Sequence, residues 1–346
     1  MTKIPEEPGE LGLKFVAEMD RYTFDKIGLM GLANAAQNLS LLDRGQSIAA
    51  LRDASIGQGD SAVVIAAGPS IARRHPLAAI KAAKYRGALI ATESAMYYCL
   101  RNGVVPDLVV TVDPHARRMI RWFGQPNLTT EELAEDDYFR RQDLDTDFAR
   151  EIEVNSEILR LLDRFGPQIR IALATCAAQP IVDRVLATGM QIYWWNPMFD
   201  DPDLPDSKTR AVFLSNRLPC LNAGGNVGTA CYMMAHAVLG KRRVALTGMD
   251  FSYYINTPYL NTQYYSDLVD IIGEENLDAA FIKVLNPHLN AWSYTDPAYY
   301  WFREIFLELA ADADCMTYNC TEGGILFGEH IHFVPLREFL RETSCA

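Results

Sequence analysis

Short, unbroken apolar runs alternate along this chain with stretches whose apolar positions recur at helical spacing. Residues 61–67, 88–92, 108–112, 169–175, 191–195 and 243–247 have the length and β-branched content of strands buried on both faces, and a last strand is expected near 315–318. Between them the pattern predicts a helix after Ser70, one over 93–102 stopped by Gly103, one running to Leu239-Gly240, and one over 299–311. Leu29, Leu32, Ala36 and Leu39 space out a helix ahead of the first strand, and the turn Gly57-Gln58-Gly59-Asp60 closes that preamble. Strands alternating with helices at this rhythm specify an α/β fold, a mostly parallel sheet with helices on both faces.

The expected organisation is a helical N-terminal segment, 1–60, then a Rossmann-like nucleotide-sugar-binding domain over 61–335, and a C-terminal tail, 336–346. Within the domain, 120–165 reads as an acidic helical insertion. The Tyr-, Asn- and Pro-rich stretch 252–297 reads as a lid-like loop with one helix. In such sheets ligands bind beyond the carboxyl ends of the strands. Three successive tips here carry Ala67-Gly68-Pro69-Ser70, Thr92-Glu93-Ser94 and Asp113-Pro114.

Charge narrows the ligand. The 346 residues carry a net charge of −12, the wrong sign for coating nucleic acid by phosphate neutralisation. Residues 131–160 hold eleven acids against four bases, so most of that charge sits in the insertion and one small phosphorylated ligand stays compatible with the rest. No apolar run reaches the roughly 18 residues of a membrane span. The first twelve residues lack the basic, apolar and small-residue regions of a secretory signal, so a cytoplasmic protein is expected. Seven scattered cysteines without a CxxC suggest neither disulfides nor a zinc knuckle.

Two glycine turns offer backbone donors. Gly68-Pro69-Ser70 leaves a buried strand for a helix, which suits a phosphate at the helix start, but the same tripeptide also serves as a ligand-free turn. Gly224-Gly225-Asn226-Val227-Gly228 feeds a helix of small residues and could complete a nucleotide cradle or simply allow close packing. No Walker A lysine and no GxGxxG accompany them, which disfavours ordinary P-loop or NAD chemistry. His330 and His332 alternate on a strand without a third ligand cluster, and Asp201-Pro202-Asp203 lies in an acidic loop, so no metal ligand is assigned.

The order Ala67-Gly68-Pro69-Ser70, Thr92-Glu93-Ser94, Asn102-Gly103-Val104-Val105-Pro106-Asp107, Val112-Asp113-Pro114, Gly224-Gly225-Asn226-Val227-Gly228, Thr247-Gly248-Met249-Asp250-Phe251 and Thr321-Glu322-Gly323-Gly324 resembles a particular domain. It is shared by motility-associated factor (Maf) flagellin glycosyltransferases and the MptE-like 6-hydroxymethyl-7,8-dihydropterin diphosphokinases, and is similar in fold to bacterial sialyltransferases. The resemblance spans about residues 60–330. It implies that Gly68, Pro69 and Ser70 hold the phosphate region, that Thr92, Glu93 and Asp113 lie at nucleoside- and sugar-contacting tips, and that Gly225, Asn226 and Val227 complete the cradle. It further implies two phenols, six residues apart, on the leaving phosphate. Tyr253 and Tyr259 have that spacing, displaced by one because Ser252 takes the first position.

The sialyltransferase general-base histidine has no direct counterpart, since Ala291-Trp292-Ser293 stands at that point. His288 is the nearest candidate, with Asp250 and Asp296 behind it. The expected activity is metal-free transfer of a nonulosonic acid, pseudaminic or legionaminic, from a CMP-activated donor to Ser/Thr of a protein acceptor such as flagellin. The alternatives are a pterin diphosphokinase using Mg²⁺ and ATP, and a non-catalytic nucleotide-binding partner in flagellar assembly.

Overall fold

The computed structural model describes residues 4–22, 28–135 and 148–344. Its main sheet is parallel throughout. The strands are β1 (Gln46–Ser47), β2 (Ser61–Ile65), β3 (Ala88–Thr92), β4 (Leu108–Val110), β5 (Arg170–Ala174), β6 (Gln191–Pro197), β7 (Cys220–Leu221), β8 (Arg243–Thr247), β12 (Met316–Asn319) and β13 (Ile331–Phe333). Their order is β1-β6-β5-β4-β3-β2-β8-β12-β13, with β7 also paired to β6. After the short edge strand β1, which pairs with β6, the chain enters the middle of the sheet at β2, winds outward through β3 to β6, and returns to lay β8 against the other side of β2 in the register Val63↔Ala245.

Because the central strands are buried on both faces, alternate residues feed separate cores. Ala62 and Val64 of β2 join one layer with Ile90, Val110, Ala174 and Leu246. Val63 and Ile65 point the other way, towards Ile71, Leu77, Ile80 and Phe339. The first layer holds the helix Val227–Met233, whose Gly228, Ala230 and Cys231 are buried against β2, β3 and β4. Small residues permit that approach.

Phe15, Ile48, Leu51 and Ile56 of the preamble lie in the same core layer as β2. The helix Gly28–Asn38 does form, but the face it buries is Gly28, Gly31, Ala35 and Asn38, while Leu29 stays 58% exposed and Leu39, one residue on, 40%. The reason is distance: a Cβ on Gly31 would lie 2.7 Å from the ring of Phe199, so the helix sits too close to its neighbours for leucines. Of the acidic insertion, Ala116–Phe123, Thr130–Glu135 and Phe148–Phe165 are helical, and 136–147 fall outside the described residues.

Residues 252–297 differ from a loop. They build a second, antiparallel sheet of β9 (Tyr253–Tyr254), β10 (Ile282–Asn286) and β11 (Ala291–Thr295) in the order β10-β11-β9, with the helix Tyr265–Ile272 between. Aromatic packing explains the order: Tyr259 stacks on Phe281 at 4.4 Å, and Tyr294 meets Tyr253, Tyr259 and Phe281 within 5.6 Å. The expected tail is likewise a helix, Leu336–Ser344, with Leu336, Phe339 and Leu340 buried. No helix among the described residues is long and apolar enough to cross a membrane.

Candidate active site

Strand order reverses between β2 and β8, and the carboxyl ends of strands at such a switch point are the place where open α/β sheets bind ligands. Gly68-Pro69-Ser70 comes directly after β2, and Gly248-Met249-Asp250 after β8. The two turns are laced together: Gly68 N–H donates to Gly248 O at 2.9 Å, Ser70 Oγ to Asp250 Oδ2 at 2.7 Å, and Ser70 N–H to the same oxygen at 3.3 Å. A Cβ on Gly68 would collide with that carboxylate, and one on Gly324 with the Asp250 backbone. The expected phosphate donors of Ser70 are therefore engaged by a protein carboxyl. The adjoining helix, Ile71–Arg74, has only four residues and little dipole to offer. Burial pushes the Asp250 carboxyl up to about 7, against the opposing pull of the Ser70 hydrogen bonds and Arg74.

At the neighbouring tips, Thr92 caps the helix Glu93–Arg101 by accepting from Ala95 N–H at 3.1 Å. Glu93 is 5% exposed, and its Oε2 has no hydrogen-bond partner. Burial, with the Asp113 carboxylate adding to it, pushes Glu93 up to about 8. Asp113 is raised too, chiefly by desolvation, although Oδ1 accepts His115 N–H at 2.7 Å. Two carboxyls of raised proton affinity thus stand at the ends of β3 and β4, Glu93 within the field of Asp113. Among the described residues no group of three His, Cys, Asp or Glu side chains is placed to hold a metal ion.

Gly225, Asn226 and Val227 open the helix Val227–Met233. The Asn226 side chain is spent on its own helix, accepting Thr229 N–H at 2.9 Å and donating to Gly224 O and Thr229 Oγ1. Gly225 has φ +76°, and a Cβ there would run into Phe302. Conformation and packing account for this turn without a ligand.

The tyrosine pair and the histidine are engaged with partners of their own. Tyr253 is buried, donating to Asp296 Oδ2 at 2.8 Å and accepting Gln263 N–H at 2.9 Å. Asp296, pushed up to about 6 by burial, caps the helix Pro297–Ala311 through Tyr299 N–H. Tyr259 donates to Asp278 at 2.6 Å. His288 is exposed, on the turn between β10 and β11, its ring stacked face to face on Phe333 at 4.6 Å. None of the three is hydrogen-bonded to the Ser70–Asp250 pair.

Other residues at the strand ends were not singled out by sequence. Asn34 Nδ2 donates to Pro114 O and Cys176 O, and Asn38 Nδ2 to Thr175 O and Ala177 O, pinning the preamble helix across the strand-end loops. Asparagines on the small-residue face of a helix were the available signal. Tyr254 stands one residue beyond Tyr253, with Arg73 above its ring and its phenol within the field of Asp250.

Residues 33–123 match the family described as 6-hydroxymethylpterin diphosphokinase MptE-like, which bears out the resemblance over that segment. No curated protein matches the chain. Among solved structures, the Maf glycosyltransferase from Magnetospirillum magneticum AMB-1 is similar at 16% identity with a TM-score of 0.49, over 91% of this chain. This chain spans 40% of the length of that structure.

Proposed function

We propose that this chain is a transferase that binds a small nucleotide-activated donor across the β2–β8 switch point, and that its reaction moves a nonulosonic acid from a CMP donor to a Ser/Thr hydroxyl of a protein acceptor such as flagellin. One observation carries the reading: the order reversal brings Ser70 and Asp250 together at the ligand-binding edge of a parallel sheet. The motif order of the sequence supports the donor class. In this reading Asp250 is the group suited to accept the acceptor's proton, since burial has brought its affinity near neutrality. Tyr253, Asp296 and Tyr259 brace the second sheet, and Tyr254 is the tyrosine on the donor side.

A second reading, a pterin diphosphokinase, is favoured by the matched segment 33–123 and by the unpartnered Oε2 of Glu93 beside Asp113. Glu93 and Asp113 could hold Mg²⁺ together with substrate phosphates, since that ion commonly takes one or two carboxylates. Bound there, Mg²⁺ would neutralise phosphate charge.

Thermal shift and calorimetry separate the two. The first reading expects metal-free CMP and CMP-nonulosonate to stabilise the protein and Ser70→Ala to weaken both. Stabilisation by Mg·ATP with the pterin alcohol, and none by CMP, would sink it.

A further inference from the structure

We propose that Arg73 and Arg74, braced by Tyr254, form the subsite for the phosphate of a small phosphate ester at the β2–β8 switch point. The inference deepens the donor-binding reading above and rests on it for location only. Ile71–Arg74 is a single helical turn, cut off because Pro76 starts the next helix and His75 between them adopts φ +48°. The break leaves Arg73 and Arg74 exposed three and four residues after Ser70, on the turn that follows β2.

Both guanidinium groups are held in place. The Arg73 carbon lies 3.4 Å from the centroid of the Tyr254 ring, and Arg74 Nε donates to Glu322 O at 3.0 Å. Neither arginine forms an ion pair among the described residues. Adjacent cations without a carboxylate partner are unexpected in a chain of net charge −12, and planar forks fixed by stacking and by a carbonyl are pre-organised for a tetrahedral oxyanion. Arg73 lies on the Tyr254 ring, the field of Arg74 reaches Asp250, and Tyr254 is within the fields of Asp250 and both arginines. Asp250 is an opposing charge within the field of Arg74, and the Ser70 hydrogen bonds and that field offset it in part. An incoming phosphate would meet two cations beside a carboxyl already engaged by Ser70. With Ser70 N–H and Oγ committed to Asp250, these arginines are the cationic donors that the turn itself lacks.

Calorimetry on the full chain, with cytidine, CMP, inorganic pyrophosphate and Mg·ATP as probes, tests this for the wild type, Arg73→Gln, Arg74→Gln, the double variant and Tyr254→Leu. Arg86→Gln, an exposed arginine at the opposite end of β3, is the control. Each single arginine variant should weaken the phosphate-bearing probes about tenfold and the double variant about 100-fold, with cytidine unchanged. Tyr254→Leu should weaken them about threefold by unbracing Arg73. Unchanged affinity in the double variant, or no binding of any phosphate-bearing probe to the wild type, overturns the subsite. If CMP binds and the double variant retains it, the subsite fails and the donor reading stands. If pyrophosphate or Mg·ATP binds and the double variant loses it while CMP does not bind, the subsite stands and the CMP reading fails.

Discussion

The two ends of the strand-tip row β8-β2-β3-β4 handle carboxyl groups in opposite ways. At β2 and β8, Asp250 is given hydrogen bonds from Ser70 and lies in the field of Arg74, so its burial is partly offset. At β3 and β4, Glu93 has another carboxylate for a neighbour and an oxygen with no partner, and it holds its proton to higher pH. One end is furnished to receive an anion. The other is furnished to donate a proton or to accept N–H groups, which suits a sugar or heterocycle edge better than a phosphate. The difference arises in the segments that leave the strands: a turn leading into Arg73 and Arg74 after β2, and a capped helix beginning with Glu93 after β3.

The sharpest way to break this contrast is pH. The folded protein holds the Glu93 proton up to about 8, whereas an unfolded chain releases it near the ordinary 4.5, so wild-type stability falls as pH rises between those values. Glu93→Gln has no proton to lose. It should gain on the wild type by about 1.4 kcal/mol per pH unit across that window in urea unfolding, and a constant difference from pH 5 to 8 would refute the assignment. Asp250→Asn should show the same trend over the lower window ending at about 7. Next in size, Gly68→Ala forces a methyl against Asp250 Oδ2 and should cost about 1–3 kcal/mol, part of it recovered in the double variant with Asp250→Ala. Additive losses would show that the two turns are not in contact.

Tyr253→Phe removes a hydrogen bond to the buried Asp296 and the acceptor of Gln263 N–H, so a loss of about 1–2 kcal/mol is expected in chemical denaturation, with ligand affinity unchanged. A ligand effect without a stability effect would return Tyr253 to the donor side. His288→Ala should be the smallest change, within about 0.5 kcal/mol, because the residue is exposed and its ring contacts, with Phe333 and Phe327, are at the surface.

The main strands were legible because a strand buried on both faces must be an unbroken apolar run: 88–92 and 243–247 match β3 and β8 at both ends. The strand tips, and with them Ser70, Glu93, Asp113 and Asp250, came with that register. Short edge strands such as β1 and β13 carry no such run. The sheet built from 252–297 was hidden because Tyr, Asn and Pro serve loops and aromatic packing alike. The pairing of Tyr253 with Asp296 and the stacking of His288 on Phe333 join residues far apart in sequence, so spacing within one segment could not reveal them. The preamble helix was legible from its apolar spacing, but its buried face, Gly28, Gly31, Ala35 and Asn38, follows from close packing that spacing does not report.

The central claim is that the donor's phosphate sits at the β2–β8 junction. A crystal structure with whichever of CMP or Mg·ATP stabilises the protein more would test it most directly. The account predicts phosphate oxygens within hydrogen-bonding distance of Arg73 and Arg74, beside Asp250. Phosphate density at the Gly224–Val227 turn, with both arginines uninvolved, would contradict it.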